Sequence, residues 1–257
     1  MLTIGNGSTQ IVRGCAVPAA VVLPSQCIAT NIQDLVKMVV VENGGVVLTP
    51  TNEDVRKINQ IATNMLGLQT TSYYSVDNSN TEDNEAFGFP VEVLNSINPS
   101  GLPPHQLDLA IGMPVMLLRN IDVKDGLCNG TRMVVKELKE DVILCTQKLK
   151  SGNTRDIFIF RLKMMSTEED FSFSRFQFPI KSAYAITVHK SQGQTLDWVG
   201  IYLRKPVFEH GMLYVALSRA KSYKKLRILV QNTKTQGTNL VKGKVLTLNV
   251  VNREVLL

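Results

Sequence analysis

Residues 45–66 restrict the fold of this chain most, because a short apolar run leads through a turn into an amphipathic segment. Val46–Leu48 has the length and composition of a buried strand, and residues 49–51 mark a turn. Thr51 and Asp54 have the spacing of a helix-capping pair. The apolar positions that follow repeat at helical spacing: Val55, Ile58, Ile61, Ala62 and Met65. A strand, a turn and a helix in this order are the building block of an α/β domain.

The same α/β pattern returns after Pro179, where Ala183–Ile186, Val199–Leu203 and Leu226–Val230 are predicted strands and Gly211–Ala220 a predicted helix. Between the two α/β regions the sequence predicts short strands separated by turn residues, at 114–118, 131–138, 141–149 and 156–162. Close-spaced strands of this kind favour a small β-barrel. Residues 67–104, rich in Ser, Asn and Asp, are predicted to form a long surface excursion. The predicted fold class is α/β, a parallel sheet with flanking helices interrupted by a small β-barrel.

The bulk composition excludes several classes of protein. No apolar run approaches the length of a membrane span, so no membrane association is expected. The four cysteines are widely spaced, with no histidine beside them and no C-x-x-C pair; they are Cys15, Cys27, Cys128 and Cys145. This pattern favours reduced structural thiols in an intracellular protein over a zinc site or a disulfide framework, and no metal site is predicted.

The charges are distributed unevenly along the chain. Residues 1–100 carry 4 Lys and Arg against 9 Asp and Glu, whereas residues 101–257 carry 24 against 13. A cationic cluster lies near the end of the α/β region: Lys221, Lys224, Lys225 and Arg227. Both the basic half and this cluster can be read either as a polyanion-binding surface or as a solvated face, and charge alone does not separate the two.

The segment that follows the predicted strand Ala183–Ile186 combines hydroxyls, a histidine, a lysine and an amide before a glycine. Its polar members are Thr187, His189, Lys190, Ser191 and Gln192, followed by Gly193. Ligands of open α/β sheets bind at the carboxyl ends of strands, and these side chains suit contacts to phosphate. A polar surface turn is the alternative.

Arg219 lies in the otherwise apolar stretch LYVALSRA. A guanidinium in such a place is either part of a structural ion pair or a phosphate ligand, because it stays charged and presents a planar fork of donors. Taken by itself the stretch favours the ion pair, and the polar segment in the same chain favours the phosphate role.

The segments AITVHKSQGQT and LYVALSRA resemble motifs V and VI of superfamily 1 helicases in their Pif1-like form. The segment VLTPTNEDVRKIN looks like the start of the second RecA-like motor domain, and NSINPSGLPPHQLDLAIGMPVMLLRNID and GLCNGTRMVV follow in the family's order. The amino-acid sequence of these segments is especially similar to the helicase half of Helitron transposon proteins. The resemblance covers about residues 20–230 and is specific, because several independent motifs occur in the right order.

The resemblance implies a role for each matching residue. Arg219 matches the arginine finger that reaches the γ-phosphate of ATP, and Gln192 and Gly193 match the segment that couples the nucleotide cleft to DNA. The positions that it implies as contacts to single-stranded DNA are Thr49, Asn52, Thr187, His189, Lys190 and Ser191. It also implies ATP and Mg²⁺ as cofactors of the complete enzyme, 5′→3′ polarity, a monomer, and a nuclear location.

The resemblance also divides the chain into regions. Residues 1–42 would be a remnant of the first motor domain or a linker, 43–104 and 166–232 the two parts of the second motor domain (2A), 105–165 an SH3-like 2B insertion, and 233–257 a tail. The sequence contains no G-x-x-x-x-G-K-[ST] phosphate-binding loop and no apolar strand that runs into an Asp-Glu pair. We therefore expect the chain to need a missing N-terminal RecA-like domain as a partner and to hydrolyse no ATP alone. A non-catalytic single-strand-binding remnant is the alternative function.

Several conspicuous side chains are predicted to be structural. His105 and His210 are expected at surface or capping positions, and Trp198 in boundary packing. The alternating aromatic residues Phe171, Phe173, Phe176 and Phe178 predict a half-buried strand.

Overall fold

The computed structural model of the chain describes residues 4, 20–79, 90–99, 101–149, 151–166, 173–231, 240–241 and 244–251. Within these residues the chain divides into two compact units. Unit 1 comprises residues 1–67 and 184–257, and unit 2 comprises residues 68–183. Unit 2 is therefore inserted into the sequence of unit 1, as the two separated α/β regions predict.

The strands in chain order are β1 (Ala20–Val22), β2 (Val46–Thr49), β3 (Thr71–Tyr74), β4 (Val76–Ser79), β5 (Gln106–Leu109), β6 (Pro114–Leu117), β7 (Arg132–Leu138), β8 (Val142–Lys148), β9 (Thr154–Phe160), β10 (Leu162–Met165), β11 (Phe173–Gln177), β12 (Ile180–Ser182), β13 (Ala185–Thr187), β14 (Val199–Leu203), β15 (Leu226–Val230), β16 (Leu240–Val241) and β17 (Lys244–Leu248). The α-helices are α1 (Ile32–Val36), α2 (Asn52–Leu66), α3 (Val91–Ser96) and α4 (Met212–Ser218). A π-helical turn, Lys37–Val41, continues α1, and 3₁₀ turns occur at Ser25–Cys27, His189–Ser191 and Tyr223–Lys225.

The centre of unit 1 is a four-stranded, fully parallel sheet in the order β13-β2-β14-β15. All four strands are rich in buried apolar residues, as expected for a parallel sheet that is covered on both faces. The predicted strands and helices of both α/β regions are present, so the parallel α/β prediction is confirmed. Because the strands are parallel, their four carboxyl ends lie at one edge of the sheet.

Helix α2 forms as its sequence predicts. The Thr51 side chain accepts a hydrogen bond from the backbone N–H of Asp54, and the helix ends at Gly67 with φ +59°. Of the predicted apolar face, Val55, Ile58 and Ala62 are buried, Ile61 is half-buried, and Met65 is exposed.

Asn59 of α2 joins the helix to the edge of the sheet. Its side-chain amide donates to the carbonyl of Ala185 at 3.4 Å and accepts from the N–H of Ala185 at 2.9 Å. Strand β13 is an edge strand, so this amide satisfies backbone groups that no neighbouring strand pairs with. The contact fixes the start of β13, from which the polar segment at 187–193 continues.

Residues 20–42 pack within unit 1, although the sequence prediction separated 1–42 as a remnant of the first motor domain or a linker. The side chains of Leu35, Val36 and Val39 are buried, and a Cβ at Gly200 of β14 would lie 3.3 Å from atoms of Leu35 and Val39. The absence of a side chain at Gly200 thus allows α1 and the π-helical turn to approach the sheet.

The tail also belongs in part to unit 1. Strand β17 pairs antiparallel with β1, with Val21 opposite Thr247, and β16 pairs with β17. Residues 244–248 therefore form a small antiparallel sheet with the segment that precedes α1. The predicted tail boundary at 233 lies among residues outside the described part of the chain.

Unit 2 consists of antiparallel sheets. Five strands pair in the order β12-β6-β7-β8-β9, and the four strands predicted between 114 and 162 are all among them. Among the described residues β12 and β9 pair with no further strand, so this sheet is open and the predicted closed barrel is not seen. The other described sheets of unit 2 are β10-β11-β4 and β3-β5.

The prediction of a surface excursion at 67–104 is wrong for most of its described residues. They form β3, β4 and α3, and these strands pair with β5 and β11 far along the chain. The compact unit 2 spans residues 68–183, whereas the predicted 2B insertion spans 105–165. Strand β11 contains Phe173, which is buried, and Phe176, which is exposed, so the predicted half-buried aromatic strand is present; Phe171 lies outside the described residues.

A buried ion pair stabilises the sheet β10-β11-β4. Arg175 and Asp77 face each other across β11 and β4, and both side chains are 0% exposed. The guanidinium donates to both Asp77 carboxylate oxygens at 2.6–3.1 Å and to the carbonyls of Pro103 and Leu94 at 2.9 and 3.0 Å. Because the pair is hydrogen-bonded on all sides, its charges are compensated although they are buried.

The same network includes His105. The Ser75 hydroxyl donates to Asp77 at 2.7 Å, and its oxygen lies 2.8 Å from Nδ1 of His105. Since the hydroxyl has one hydrogen, His105 donates to Ser75 through Nδ1. His105 is therefore a half-buried structural residue, and not one at the surface as predicted.

Candidate nucleic-acid and nucleotide-facing site

The polar segment lies at the carboxyl edge of the parallel sheet, as the sequence predicts. Thr187 ends β13 and pairs in register with Thr49, which ends β2. The N–H of Val188 donates to the carbonyl of Thr49 at 3.1 Å, so the pairing extends one residue beyond the strands. The chain then enters the 3₁₀ turn His189–Ser191 and bends at Gly193, whose φ of +73° is in the left-handed region that glycine tolerates.

Four of the predicted contact residues are accessible at this edge. Asn52 begins helix α2 and is exposed, as is His189, whereas Thr187 and Lys190 are half-buried. Burial lowers the pKa of the Lys190 ammonium, because a cation loses hydration when it is partly removed from water. Gln192, one of the predicted coupling residues, is exposed.

Two of the predicted DNA contacts do not have accessible side chains. Thr49 is 0% exposed, and its hydroxyl has no hydrogen-bond partner among the described residues. Ser191 is also 0% exposed, and its hydroxyl donates to the carbonyl of Val188 at 2.6 Å. In this arrangement neither hydroxyl faces solvent, so DNA contacts through these two side chains stay a prediction that the buried positions do not favour.

Arg219 is bound to the polar segment through its side chain and its backbone. Nη1 donates to the carbonyls of Ser191 and Gln194 at 3.4 and 3.0 Å. The carbonyl of Arg219 accepts from the N–H of Leu196 at 3.3 Å. The segment that resembles motif VI and the segment that resembles motif V are therefore directly hydrogen-bonded to each other.

Two further N–H groups of the guanidinium bind within helix α4. Nε donates to the carbonyl of Val215 at 3.1 Å, and Nη2 donates to the hydroxyl of Ser218 at 2.9 Å. All four partners are neutral oxygens, and within the described residues Arg219 makes no ion pair. The ion-pair alternative is therefore not what the structure shows, and the positive charge of this half-buried group has no carboxylate opposite it.

The sequence analysis did not predict two contacts at the same edge, each between a carboxylate and a histidine or an arginine. His189 Nε2 lies 2.6 Å from a carboxylate oxygen of Glu209, and both side chains are partly exposed. Arg204, directly after β14, lies 2.5 Å from Glu53 and 2.7 Å from Asp54 at the start of α2. The hydrogen bond from Arg204 lowers the pKa of Glu53. The position of Arg204 one residue beyond a buried strand is the sequence signal that could have identified it.

These contacts determine which cations at the carboxyl edge of the sheet are available to bind an anion. Arg204 links the segment after β14 to the first turn of α2, and its charge is shared by two carboxylates. A phosphate at His189 would compete with Glu209, whereas Lys190 makes no ion pair within the described residues. Lys190 is thus the cation of this edge that is best placed to bind an anion.

Other site types find no support in the described part of the chain. No group of three or more His, Cys, Asp or Glu residues there could hold a metal ion. Cys27, Cys128 and Cys145 are free thiols, and Cys15 lies outside the described residues. No helix of the described residues is both long enough and apolar enough to cross a membrane.

Two segments match known helicase domains. Residues 92–138 match the 2B domain of DNA helicase Pif1, and residues 182–226 match the UvrD-like helicase C-terminal domain. The second match contains the polar segment and Arg219. An α/β domain of the helicase C-terminal type therefore carries the candidate site.

Similar proteins identify the family. The ATP-dependent DNA helicase PIF1 of Xenopus laevis is 33% identical over 207 residues, which is 77% of this chain and 30% of that protein. The solved structure of Pif1 helicase from Candida albicans has a TM-score of 0.59 and 29% identity, covering 79% of this chain and 49% of that one. Bacteroides Pif1 in complex with ADP-AlF3 and ssDNA has a TM-score of 0.52 and 26% identity, covering 80% and 46%. The chain belongs to the Pif1 helicase family, and it spans less than half the length of these proteins.

Proposed function

We propose that the chain supplies the second motor domain of a Pif1-like, ATP-dependent 5′→3′ DNA helicase of the Helitron type. The observation that carries the proposal is the direct hydrogen bonding between Arg219 and the segment 191–196. A movement of that segment on DNA would move the guanidinium, so this contact can couple DNA binding to nucleotide hydrolysis. The polarity and the Helitron lineage rest on the resemblance of the motif segments alone.

Arg219 has the properties that an arginine finger needs. Among the described residues no carboxylate neutralises its charge, and four hydrogen bonds hold the guanidinium plane in a defined orientation while one of its five N–H groups, on Nη2, is left over for a phosphate oxygen. Such a group stabilises the negative charge that develops on a transferred phosphoryl group. ATP with Mg²⁺ would supply that phosphoryl group in the complete enzyme. In that enzyme a first RecA-like domain would bind the nucleotide and its Mg²⁺ opposite Arg219.

We propose that single-stranded DNA binds at the carboxyl edge of the sheet. The residues that would contact it are the accessible polar residues Asn52, Thr187, His189 and Lys190. Lys190 would bind a backbone phosphate, and its partial burial favours this, because a desolvated ammonium gains more from a counter-ion than a hydrated one. Gln192 and Gly193 lie on the exposed bend between this edge and Arg219, where they would transmit the movement.

The test is complementation in trans. We expect no ATP hydrolysis by the chain alone, and DNA-stimulated hydrolysis when a purified first motor domain of the same family is added. Arg219→Ala should lower that rate by about 10³-fold or more, as removal of an arginine finger does. Arg56→Ala, at an exposed position of α2, is the matched control and should leave the rate unchanged.

Two results would contradict the proposal. DNA-stimulated hydrolysis by the chain alone, lost in Arg219→Ala, would show that the nucleotide cleft needs no other domain. If the chain binds single-stranded DNA but never restores hydrolysis in trans, a non-catalytic binding module, the alternative function, would replace the helicase assignment.

A further inference from the structure

A second basic surface lies at the opposite edge of the parallel sheet in unit 1. The 3₁₀ turn Tyr223–Lys225 comes immediately before β15, and therefore at the amino edge of the sheet. The polar segment at 187–193 follows the carboxyl end of β13. We refer to Tyr223, Lys224, Lys225 and Arg227 as the basic turn. It is separate from the candidate site, because the amino and carboxyl ends of parallel strands lie at opposite edges.

The basic turn is held in one conformation by hydrogen bonds to its backbone. The hydroxyl of Ser222 accepts from the N–H of Lys224 at 3.3 Å, and the N–H of Lys225 donates to the carbonyl of Ser222 at 3.1 Å. Nη1 of Arg227 donates to the carbonyl of Lys224 at 3.1 Å, and Sγ of Cys27 donates to the carbonyl of Tyr223 at 3.4 Å. None of these bonds uses the side chain of a lysine or of the tyrosine. The backbone of the turn is therefore ordered before a ligand binds, and the three side chains stay available for contacts.

Within the part of the chain that the structure describes, the cations of the basic turn form no pair with a carboxylate. Lys224 and Lys225 are exposed and make no ion pair within the described residues. The Arg227 guanidinium donates to backbone carbonyls and lies 5.7 Å from the centre of the Trp198 ring. The nearest ion pair joins Lys221 to Asp197 at 3.4 Å between two exposed side chains, and such a pair is weak. Three positive charges are thus concentrated at the turn.

An exposed aromatic ring stands beside these charges. Tyr223 is 55% exposed, and it precedes the two lysines directly, whereas the next apolar residue, Leu226, is buried. A cationic groove with an aromatic ring is the arrangement by which proteins bind single-stranded nucleic acid without sequence preference: the cations bind phosphates and a base stacks on the ring. The turn exposes no aliphatic side chain for insertion into a membrane, so single-stranded nucleic acid is the ligand that uses both its charges and its ring.

We propose that the basic turn is a second contact surface for single-stranded nucleic acid, with Lys224 and Lys225 on backbone phosphates and Tyr223 stacked on a base. This inference extends the DNA-binding part of the proposed function and does not involve Arg219. A single strand of DNA that leaves the carboxyl edge of the sheet could thus be bound at a second point, remote from the nucleotide-facing residues.

The test is the salt dependence of binding to a fluorescein-labelled oligothymidylate, measured by anisotropy with the full chain. Each phosphate contact to a single strand contributes about 0.7 to the slope of log K against log salt, so Lys224→Ala/Lys225→Ala should lower the slope by about 1.4. The same relation predicts about 25-fold weaker binding at ~0.1 M salt and almost no difference near 1 M. The matched control is Lys124→Ala/Lys148→Ala, two exposed lysines of unit 2, which should give a far smaller change.

The tyrosine gives an independent measurement. Tyr223→Ala should weaken binding about fivefold or more at every salt concentration, because stacking is not an ionic contact, and Tyr223→Phe should keep the wild-type affinity. These substitutions leave the hydrogen bonds to the backbone of the basic turn in place, and Trp198 fluorescence reports whether the fold is intact.

Three outcomes would overturn the inference. The first is a wild-type affinity and slope in Lys224→Ala/Lys225→Ala. The second is a loss in that variant no larger than in the Lys124→Ala/Lys148→Ala control. The third is binding of the basic turn to phosphatidylserine vesicles without binding to the oligonucleotide. Lys190→Ala separates the two proposals, because it should weaken binding through the carboxyl edge while the effect of the basic-turn variants persists.

Discussion

The buried pair Arg175–Asp77 allows a stability prediction whose size follows from the contacts. In Asp77→Ala the guanidinium loses its counter-ion and three of its five hydrogen bonds, while it remains inside unit 2. Removal of one partner of a buried, hydrogen-bonded ion pair costs about 3–5 kcal/mol. Unit 2 spans residues 68–183, and unfolding of a domain of this length has an entropy of about 0.24 kcal/mol per degree. The expected fall in the midpoint of the unit 2 transition is therefore about 12–20 °C.

Differential scanning calorimetry of the full chain is the assay, with Asp77→Asn as a second variant that keeps the shape of the side chain and removes its charge. The matched control is Lys136→Ala, which breaks the exposed pair between Lys136 and Asp156. Exposed pairs contribute less than about 1 kcal/mol, so the control should move the midpoint by no more than about 4 °C. A midpoint for Asp77→Ala within the range of the control would refute the reasoning, because the pair would then add no more than a surface contact.

Three further predictions concern unit 1 and the thiols. Asn59→Ala leaves the buried N–H and C=O of Ala185 without their hydrogen-bond partner. We therefore expect the free energy of unfolding to fall by about 1–3 kcal/mol and amide hydrogen exchange in β13 to become faster; unchanged exchange would contradict the assigned role. A Cβ at Gly45 would lie 2.6 Å from Trp198 Cβ, so Gly45→Ala should destabilise the chain by about 1–3 kcal/mol and shift the emission of its single tryptophan; an unshifted spectrum would count against this packing. Burial raises the pKa of Cys145 to about 12, so at pH 8 its thiol stays protonated, and mass spectrometry after iodoacetamide treatment should find Cys128 modified before Cys145; equal rates would contradict it.

Local signals made much of unit 1 predictable. Helix α2 has a cap at Thr51, a glycine at 67 and an apolar face between them, and strand β14 occupies the residues predicted for it. These features depend on neighbours within a few positions of the sequence. Strands β3 and β4 were missed because their stability comes from pairing with β5 and β11 and from the buried Asp77, and none of these contacts is local.

The candidate site could be predicted by position but not by side-chain orientation. A polar segment after a buried strand was sufficient to place 187–193 at the carboxyl edge of the sheet. Whether a hydroxyl at such an edge faces solvent depends on packing from other elements, and Thr49 and Ser191 proved to be buried. For Arg219 the sequence allowed two interpretations, and only the structure shows that its partners among the described residues are three backbone carbonyls and the Ser218 hydroxyl, and not a carboxylate.

The interrupted sequence of unit 1 has a consequence for the order in which the chain folds. Strand β2 must wait for β13 and β14, which lie more than a hundred positions downstream, whereas unit 2 is continuous and can fold while the ribosome is still synthesising the remainder. Closing a loop of this length costs about 4 kcal/mol of chain entropy, and a unit 2 that has already collapsed shortens the flexible part of that loop. Mutations that delay the folding of unit 2 should therefore leave β2, the one strand of the parallel sheet that precedes unit 2, unpaired and prone to aggregation during synthesis, although these mutations lie outside that sheet.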